Sequence, residues 1–331
     1  VTASLLLTNG YIHSVSEPYA NALHADNGVV AWLGSDEAGQ QMVAATASGP
    51  VATHDLRGML VTPAFIDGFS TTALGPDDPR VAMSTTEPWE HGVYYAPVGT
   101  SDHKSDGLYI AANQLDRLHE IAAQHKPPTQ WLVETRGPDD LDHVLAVLKQ
   151  QPNTALMRCR HRIVLNFRLT PQQIAQLVDL HASVTIVPQV IDGTPIVEAP
   201  VASLIAAGVH VATGTGEWTG SIWELLTTLV EHHDQDQRVS TRAAFNTVSR
   251  DGVRVWPSRI AQQHMAGGQI AVGSPADLNI WQADQLGVQA PDVKAAHWST
   301  DKRAGTALLP MLSSAEKGPR LEQIIRNGQM L

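Results

Sequence analysis

Between residues 60 and about 256, short apolar runs rich in branched side chains alternate with segments whose apolar positions recur every three or four residues. Runs of the first kind suit strands buried on both faces, and segments of the second kind suit one-sided helices. The alternation therefore specifies βα units around a parallel sheet. The clearest helix is AANQLDRLHEIAAQH, residues 111–125, where Leu115, Leu118, Ile121 and Ala122 share a face. The strand QWLVE follows it. PDDLDHVLAVLKQ is expected as a helix because Pro138 and the acidic residues behind it suit a helix start, and TPQQIAQLVDLH because Thr170 is an N-cap with Pro171 at the first helical position. The apolar run ALMRCRHRIVLNF lies between them. Later, SVTIVP and VHVATG read as strands, and PVASLIAAG and SIWELLTTLVEHH as helices. STRAAFNTVSRDG reads as a further helix capped by Ser240 or Thr241.

Both ends read differently. The first sixty residues break apolar runs with turn residues, and Asn9-Gly10 and Asn27-Gly28 accept positive φ at both centres of a tight hairpin. From GGQIAVGSPADLNIW to RLEQIIRNGQML the pattern is β-like again. The order is a β unit, a βα series and a second β unit. A right-handed βα series closing into a barrel carries its chemistry just past the carboxyl ends of its strands.

With 331 residues and 43% apolar content the chain can bury one barrel-sized interior or two ordinary ones. Acidic residues outnumber basic ones 33 to 22, and the net charge of −11 repels phosphate backbones and anionic lipid. Neither nucleic acid nor a membrane is expected as a partner. No window reaches the roughly 20 apolar residues of a spanning helix, and the opening LLLTNGYI lacks the basic segment of a leader. Cys159, the single cysteine, forms no internal disulfide and reads as a small buried hydrophobe. A cytoplasmic protein is expected.

DLRGMLVTPAFIDGFS and GGQIAVGSPADLNIW, taken with LLLTNGYI, resemble the amidohydrolase superfamily. WLVETRGPDDLDHVLAVL, RHRIVLNFRLTPQQIAQLVDLHASVTIVPQ and AAFNTVSRDGVRVWPSRIAQQHM are similar to its middle segments. The resemblance implies an α/β fold: a composite β-sandwich, here residues 1–60 and 257–331, beside a TIM-like (β/α)8 barrel over 61–256. It also implies a divalent metal at the barrel mouth that activates water to hydrolyse non-peptide carbon–nitrogen bonds. In the family that metal is held by a His-x-His pair after the first strand, histidines after the fifth and sixth, and an aspartate after the eighth. The matching positions here are Phe69 and Thr71, with Ser70 between them, then Glu134, Leu165 and Gly216. Phenylalanine, leucine and glycine side chains offer no lone pair, and two oxygens do not make a zinc cage. No cofactor is expected. Residues 68–129 would have to hold three strands but show one strand-like run, GVYYAPVG, so a reduced or irregular barrel is expected.

Past the expected strand ends stand Asp67, Ser70, Thr71, Glu134, Arg136, Asn166, Arg168, Gln189 and Glu217. Glu134 and Glu217 are a candidate acid–base pair, provided they face each other with pKa values pushed apart. Ser70, Thr71, Arg136, Asn166, Arg168 and Gln189 are candidate ligand contacts. The blander expectation is that Glu134 pairs with Arg136 or Arg168, that Asp67 bonds locally after the first strand, and that Phe69 plugs the metal position. Among 15 histidines, those of EHHDQD read as a solvated helix end, His119 and His125 as helix surface, and His161 as structural. GTGEWTG lacks the Lys-Ser/Thr of a phosphate loop, and no G-x-S-x-G elbow is present. The reading is a hydrolase-fold pseudoenzyme that has lost the metal centre and binds a small molecule or serves as a scaffold, as a homodimer or beside an active relative. The alternative is an active hydrolase, metal-independent or with a relocated site, using Glu134 and Glu217.

Overall fold

The structure, a computed structural model, describes residues 4–46, 49–71, 78–84, 93–100, 105–125, 129–263, 266–289, 298–299, 306–315 and 317–331. Asn27 and Gly28, at φ 52° and 80°, join Ala22–Asp26 to Val29–Gly34 as the expected two-residue hairpin. Asn9-Gly10 acts otherwise and passes the chain from one sheet to another. Ser4–Thr8 lies between Ala22–Asp26 and Val51–Asp55 in a four-stranded sheet. Tyr11–Ile12 instead pairs with Leu60–Pro63 in a five-stranded sheet completed by Leu278–Gln282, Arg320–Arg326 and Gln329–Met330. A Cβ at Gly10 would meet Leu56 Cδ1 at 2.3 Å, so this glycine serves close packing. Leu5, Leu7, Leu23 and Val30 of the first sheet share one buried cluster with Val61, Leu278, Ile280 and Ile325 of the second. Burial of that cluster ties the two chain ends together.

A third sheet has eight strands, all parallel to their neighbours and placed in chain order: β1 (Phe65–Asp67), β2 (Arg80–Ser84), β3 (Val93–Pro97), β4 (Gly107–Ile110), β5 (Gln130–Glu134), β6 (Arg162–Leu165), β7 (Ser183–Ile186) and β8 (Val211–Thr213). The three strands sought between residues 68 and 129 are present. The connections 85–92 and 98–106 have fewer residues than the usual crossover. β3 lies in the run GVYYAPVG; β2 and β4 escaped the sequence reading because they have only five and four residues. Past the ends of β1 and β8, the two outer strands, Gly68 N donates to Thr213 O (2.9 Å), Gly216 N to Phe69 O (2.7 Å) and Thr71 N to Gly216 O (3.0 Å).

From β4 onward the connections contain helices. Pro138–Leu148 and Asn153–Cys159 follow β5, and Pro171–Asp179 follows β6. The run ALMRCRHRIVLNF is thus part helix and part strand, divided at Arg160, whose left-handed φ of 49° ends the helix. Residues 111–125 form a 3₁₀ turn, Ala112–Arg117, before the helix Leu118–Gln124. Thr170 caps its helix as expected: its hydroxyl accepts from Gln173 N (3.2 Å), and the Gln173 side chain accepts in return from Thr170 N (2.9 Å). Thr170→Ala is expected to cost about 1 kcal/mol, read as a lower urea midpoint at unchanged slope. Alternation along the strands sorts the core. Trp131, Val133, Ile163 and Leu165 join helix residues such as Leu141, Leu145 and Leu177, while Leu132 and Val164 join a separate cluster with Phe69, Tyr95 and Ala212. Phe65, Trp223, Phe245 and Trp281 pack ring to ring at 5.1–6.0 Å and couple β1 to the helices Ile222–Val230 and Thr241–Thr247 and to the terminal sheet.

Candidate functional site

Asp67 ends β1 with its side chain fully buried. Its Oδ1 accepts from Phe69 N (3.1 Å) and Thr215 N (2.9 Å), and its Oδ2 from the Thr215 hydroxyl (2.6 Å) and Arg80 Nη1 (3.0 Å). Four donors on two oxygens suit an ionised carboxylate. Burial pushes the carboxyl up, against the opposing pull of Arg80, Thr215 and the Phe69 N–H. Arg80 also holds Asp78 through two bonds of 2.8 and 2.7 Å. Asp67 is therefore committed to holding β1, β2 and the turn after β8 together; only its bond from Phe69 N is the local one expected.

Phe69, two residues on, is 4% exposed, lies in the inner cluster and faces the Tyr109 ring with centroids 6.0 Å apart. Ser70 is buried and bridges Gly216. The Thr71 hydroxyl is spent on Gly216 O (3.0 Å). At the end of β5, half-buried Glu134 accepts from the Tyr109 hydroxyl (2.8 Å). Burial and Glu134 together raise the Tyr109 pKa, so this hydroxyl stays neutral and donates.

The ion network expected around Glu134 is not formed. Arg136 turns outward to Asp140 (3.0 Å), its helix neighbour, and Arg168 turns to Glu198 (3.6 Å). Asn166 is occupied in pinning the chain after β7: its amide donates to Ile196 O (2.9 Å) and its carbonyl accepts from Glu198 N (2.8 Å). Gln189 is exposed at the start of the hairpin Gln189–Ile191/Thr194–Ile196. Glu217 is exposed in the turn beyond β8, and no hydrogen bond or ion pair joins it to Glu134 among the described residues. The two glutamates form no linked acid–base pair.

Leu165 also departs from its expected place. It packs with the helices, so the inward positions of β6 and the residue after it are Arg162, Val164 and Asn166. Arg162, which the sequence reading passed over, is fully buried. Its Nε donates to the Thr185 hydroxyl (2.6 Å), its Nη2 to Gly68 O, and its guanidinium carbon stands 6.0 Å from the Tyr95 ring centroid. Burial lowers its pKa, against the fields of Tyr95 and Asp67. Its signal was legible: an arginine opening the run RIVL occupies the inward phase of an otherwise apolar strand.

The histidines of EHHDQD correct another expectation. His233 is exposed, but His232 is 2% exposed, stacks on His233 and accepts the Asp234 N–H (3.1 Å), so this helix end is only partly solvated. Among the described residues no group of three or more His, Cys, Asp or Glu side chains is arranged to hold a metal ion. Of the five implied metal positions, four do not fit one: Phe69 offers a ring, Leu165 faces away, Gly216 has no side chain, and the Thr71 hydroxyl donates elsewhere; the fifth, Glu134, is a single carboxylate, too few donors for a zinc site.

The fold is like that of solved metal-dependent hydrolases. The chain is similar to a metal-dependent hydrolase from Pyrococcus horikoshii OT3, with a TM-score of 0.62 and 11% identity over 86% of this chain and 98% of that one. It is similar to an atrazine chlorohydrolase variant from Arthrobacter aurescens TC1 in complex with zinc and atraton, with a TM-score of 0.57 and 12% identity over 99% and 95%. It is also similar to N-isopropylammelide isopropylaminohydrolase from Burkholderia multivorans ATCC 17616, with a TM-score of 0.57 and 14% identity over 99% and 98%. No family model and no curated protein sequence matches the chain. No helix among the described residues is long and apolar enough to cross a membrane.

Proposed function

We propose that this chain keeps the hydrolase fold without the metal chemistry of its structural neighbours, and serves as a small-molecule-binding or scaffold protein. The observation that carries this reading is the Phe69 ring, packed with Leu132 and Val164 at the place where the resemblance puts the first metal ligand. The buried Arg162 supports it, since a guanidinium donating to Gly68 O sets a positive charge next to that position and repels a divalent cation. The same reading takes residues 61–256 as a closed barrel, supported by the hydrogen bonds joining the chain past β1 to the chain past β8. It takes residues 1–60 and 257–331 as the sandwich, with the passage at Ala64, between a strand of the terminal sheet and β1. The buried thiol of Cys159 suits a cytoplasmic setting, and exposed Val190 and Ile191 on the hairpin suit contact with a second copy or an active relative.

The test is elemental analysis of protein purified without chelator. Zinc, iron, manganese and nickel are each expected well below one equivalent. A tightly held equivalent, released together with hydrolytic turnover on chelation, would overturn the reading.

A further inference from the structure

Glu134 points inward from the end of β5, and no arginine, lysine or histidine pairs with it among the described residues. Its one bond among the described residues is from the Tyr109 hydroxyl at 2.8 Å, and a neutral donor stabilises a negative charge without cancelling it. Arg136 is held by Asp140 and feels Glu134 only as a more distant charge. Arg168 is drawn off by Glu198, and Arg80 by Asp67 and Asp78. Among the described residues this half-buried carboxylate thus has no counter-charge in contact, which costs free energy that a cation would recover. Its immediate surroundings are aromatic: the half-buried Tyr109 ring lies beside it, backed by Phe69 at 6.0 Å and 42°. A carboxylate beside an aromatic ring attracts a cation carried on carbon, because the carboxylate supplies the charge and the ring an apolar contact. One carboxylate is too few donors for a divalent metal. The net charge of −11 adds a long-range field that concentrates cations at the surface.

We propose that the mouth beside β4 and β5 binds a small organic cation, with its ammonium group on Glu134 and its carbon body against Tyr109. This rests on the ligand-binding reading above and names the class of ligand. Isothermal titration calorimetry at fixed ionic strength, with n-butylammonium chloride, sodium butyrate and n-butanol as probes, tests it. Saturable binding is expected for butylammonium alone. Glu134→Gln is expected to weaken it about ten-fold or more at an unchanged thermal midpoint, and Tyr109→Phe by a smaller factor in a protein that keeps both rings. Equal responses to butyrate or butanol, no saturable response, or unchanged affinity in Glu134→Gln overturns the proposal. If Glu134→Gln does not fold, unchanged affinity in Tyr109→Phe overturns it instead. A metal-free protein that ignores butylammonium removes only the ligand class, whereas an equivalent of metal in the mouth removes the underlying reading as well.

Discussion

Asp67→Ala is expected to destabilise the protein by about 3–5 kcal/mol, the range for breaking one side of a buried, hydrogen-bonded ion pair. The substitution takes the acceptor from the Phe69 and Thr215 N–H groups and the Thr215 hydroxyl at once, and leaves Arg80 with Asp78 and the Thr215 hydroxyl. Because these groups come from β1, β2 and the turn after β8, the loss acts where the outer strands of the eight-stranded sheet meet. Asp67→Asn should recover part of it, since the amide carbonyl accepts but the NH2 group then faces donors. Urea denaturation of the three proteins reads the effect, and a midpoint for Asp67→Ala within 1 kcal/mol of the parent would show that Asp67 is not the tie described here.

Acid is expected to remove roughly 6 kcal/mol of stability between pH 6.5 and pH 4, through His13 and His161, at about 1.4 kcal/mol per pH unit for each. His13 is 7% exposed, and burial lowers its pKa to about 4, with the Leu308 carbonyl pulling the other way. His161 is 1% exposed, and burial lowers its pKa to about 3. Its Nδ1 accepts the Trp131 N–H (3.0 Å) and its Nε2 faces Gln151 Oε1 (3.2 Å), so a second proton would set two donors against each other. The sign follows from proton counting. Below 6.5 the unfolded chain protonates both rings and the folded chain does not, so stability is complete above 6.5 and declines as pH falls toward the folded values. His24, His210 and His232 are shifted the same way by burial, while Asp67, raised by burial, works in the opposite sense. His161→Gln, whose carbonyl can still accept from Trp131, isolates one ring. Its stability should fall clearly less steeply with acid than the parent's, and parallel curves would exclude His161 as a source.

The fold was legible wherever a segment was long enough to show its period. The helix Pro171–Asp179, its Thr170 cap and the Asn27-Gly28 hairpin stand as read, because each is decided by residues within a few positions of one another. Strands β2 and β4 were not legible, since three to five residues cannot display an alternation and their partners lie elsewhere in the chain. The candidate site divides along the same line. Asp67 and Phe69 could be read from their place after a strand. The partners of Arg136, Arg168 and Asn166 could not, because a long polar side chain takes whichever of several nearby groups geometry offers.

By itself the sequence determined the βα order, the β-rich ends, and a side-chain set at the expected metal positions in which phenylalanine and glycine cannot ligate. Those properties are local: periodicity, turn chemistry and the presence or absence of a lone pair belong to each residue wherever it is placed. Only the tertiary structure decided that Leu165 faces the helices, that Arg162 lies buried among Thr185, Gly68 and Tyr95, and that Glu134 takes the Tyr109 hydroxyl while Arg136 and Arg168 turn elsewhere. Strand phase, burial and pairing depend on which distant segments share a space, and that is settled when the sheet assembles.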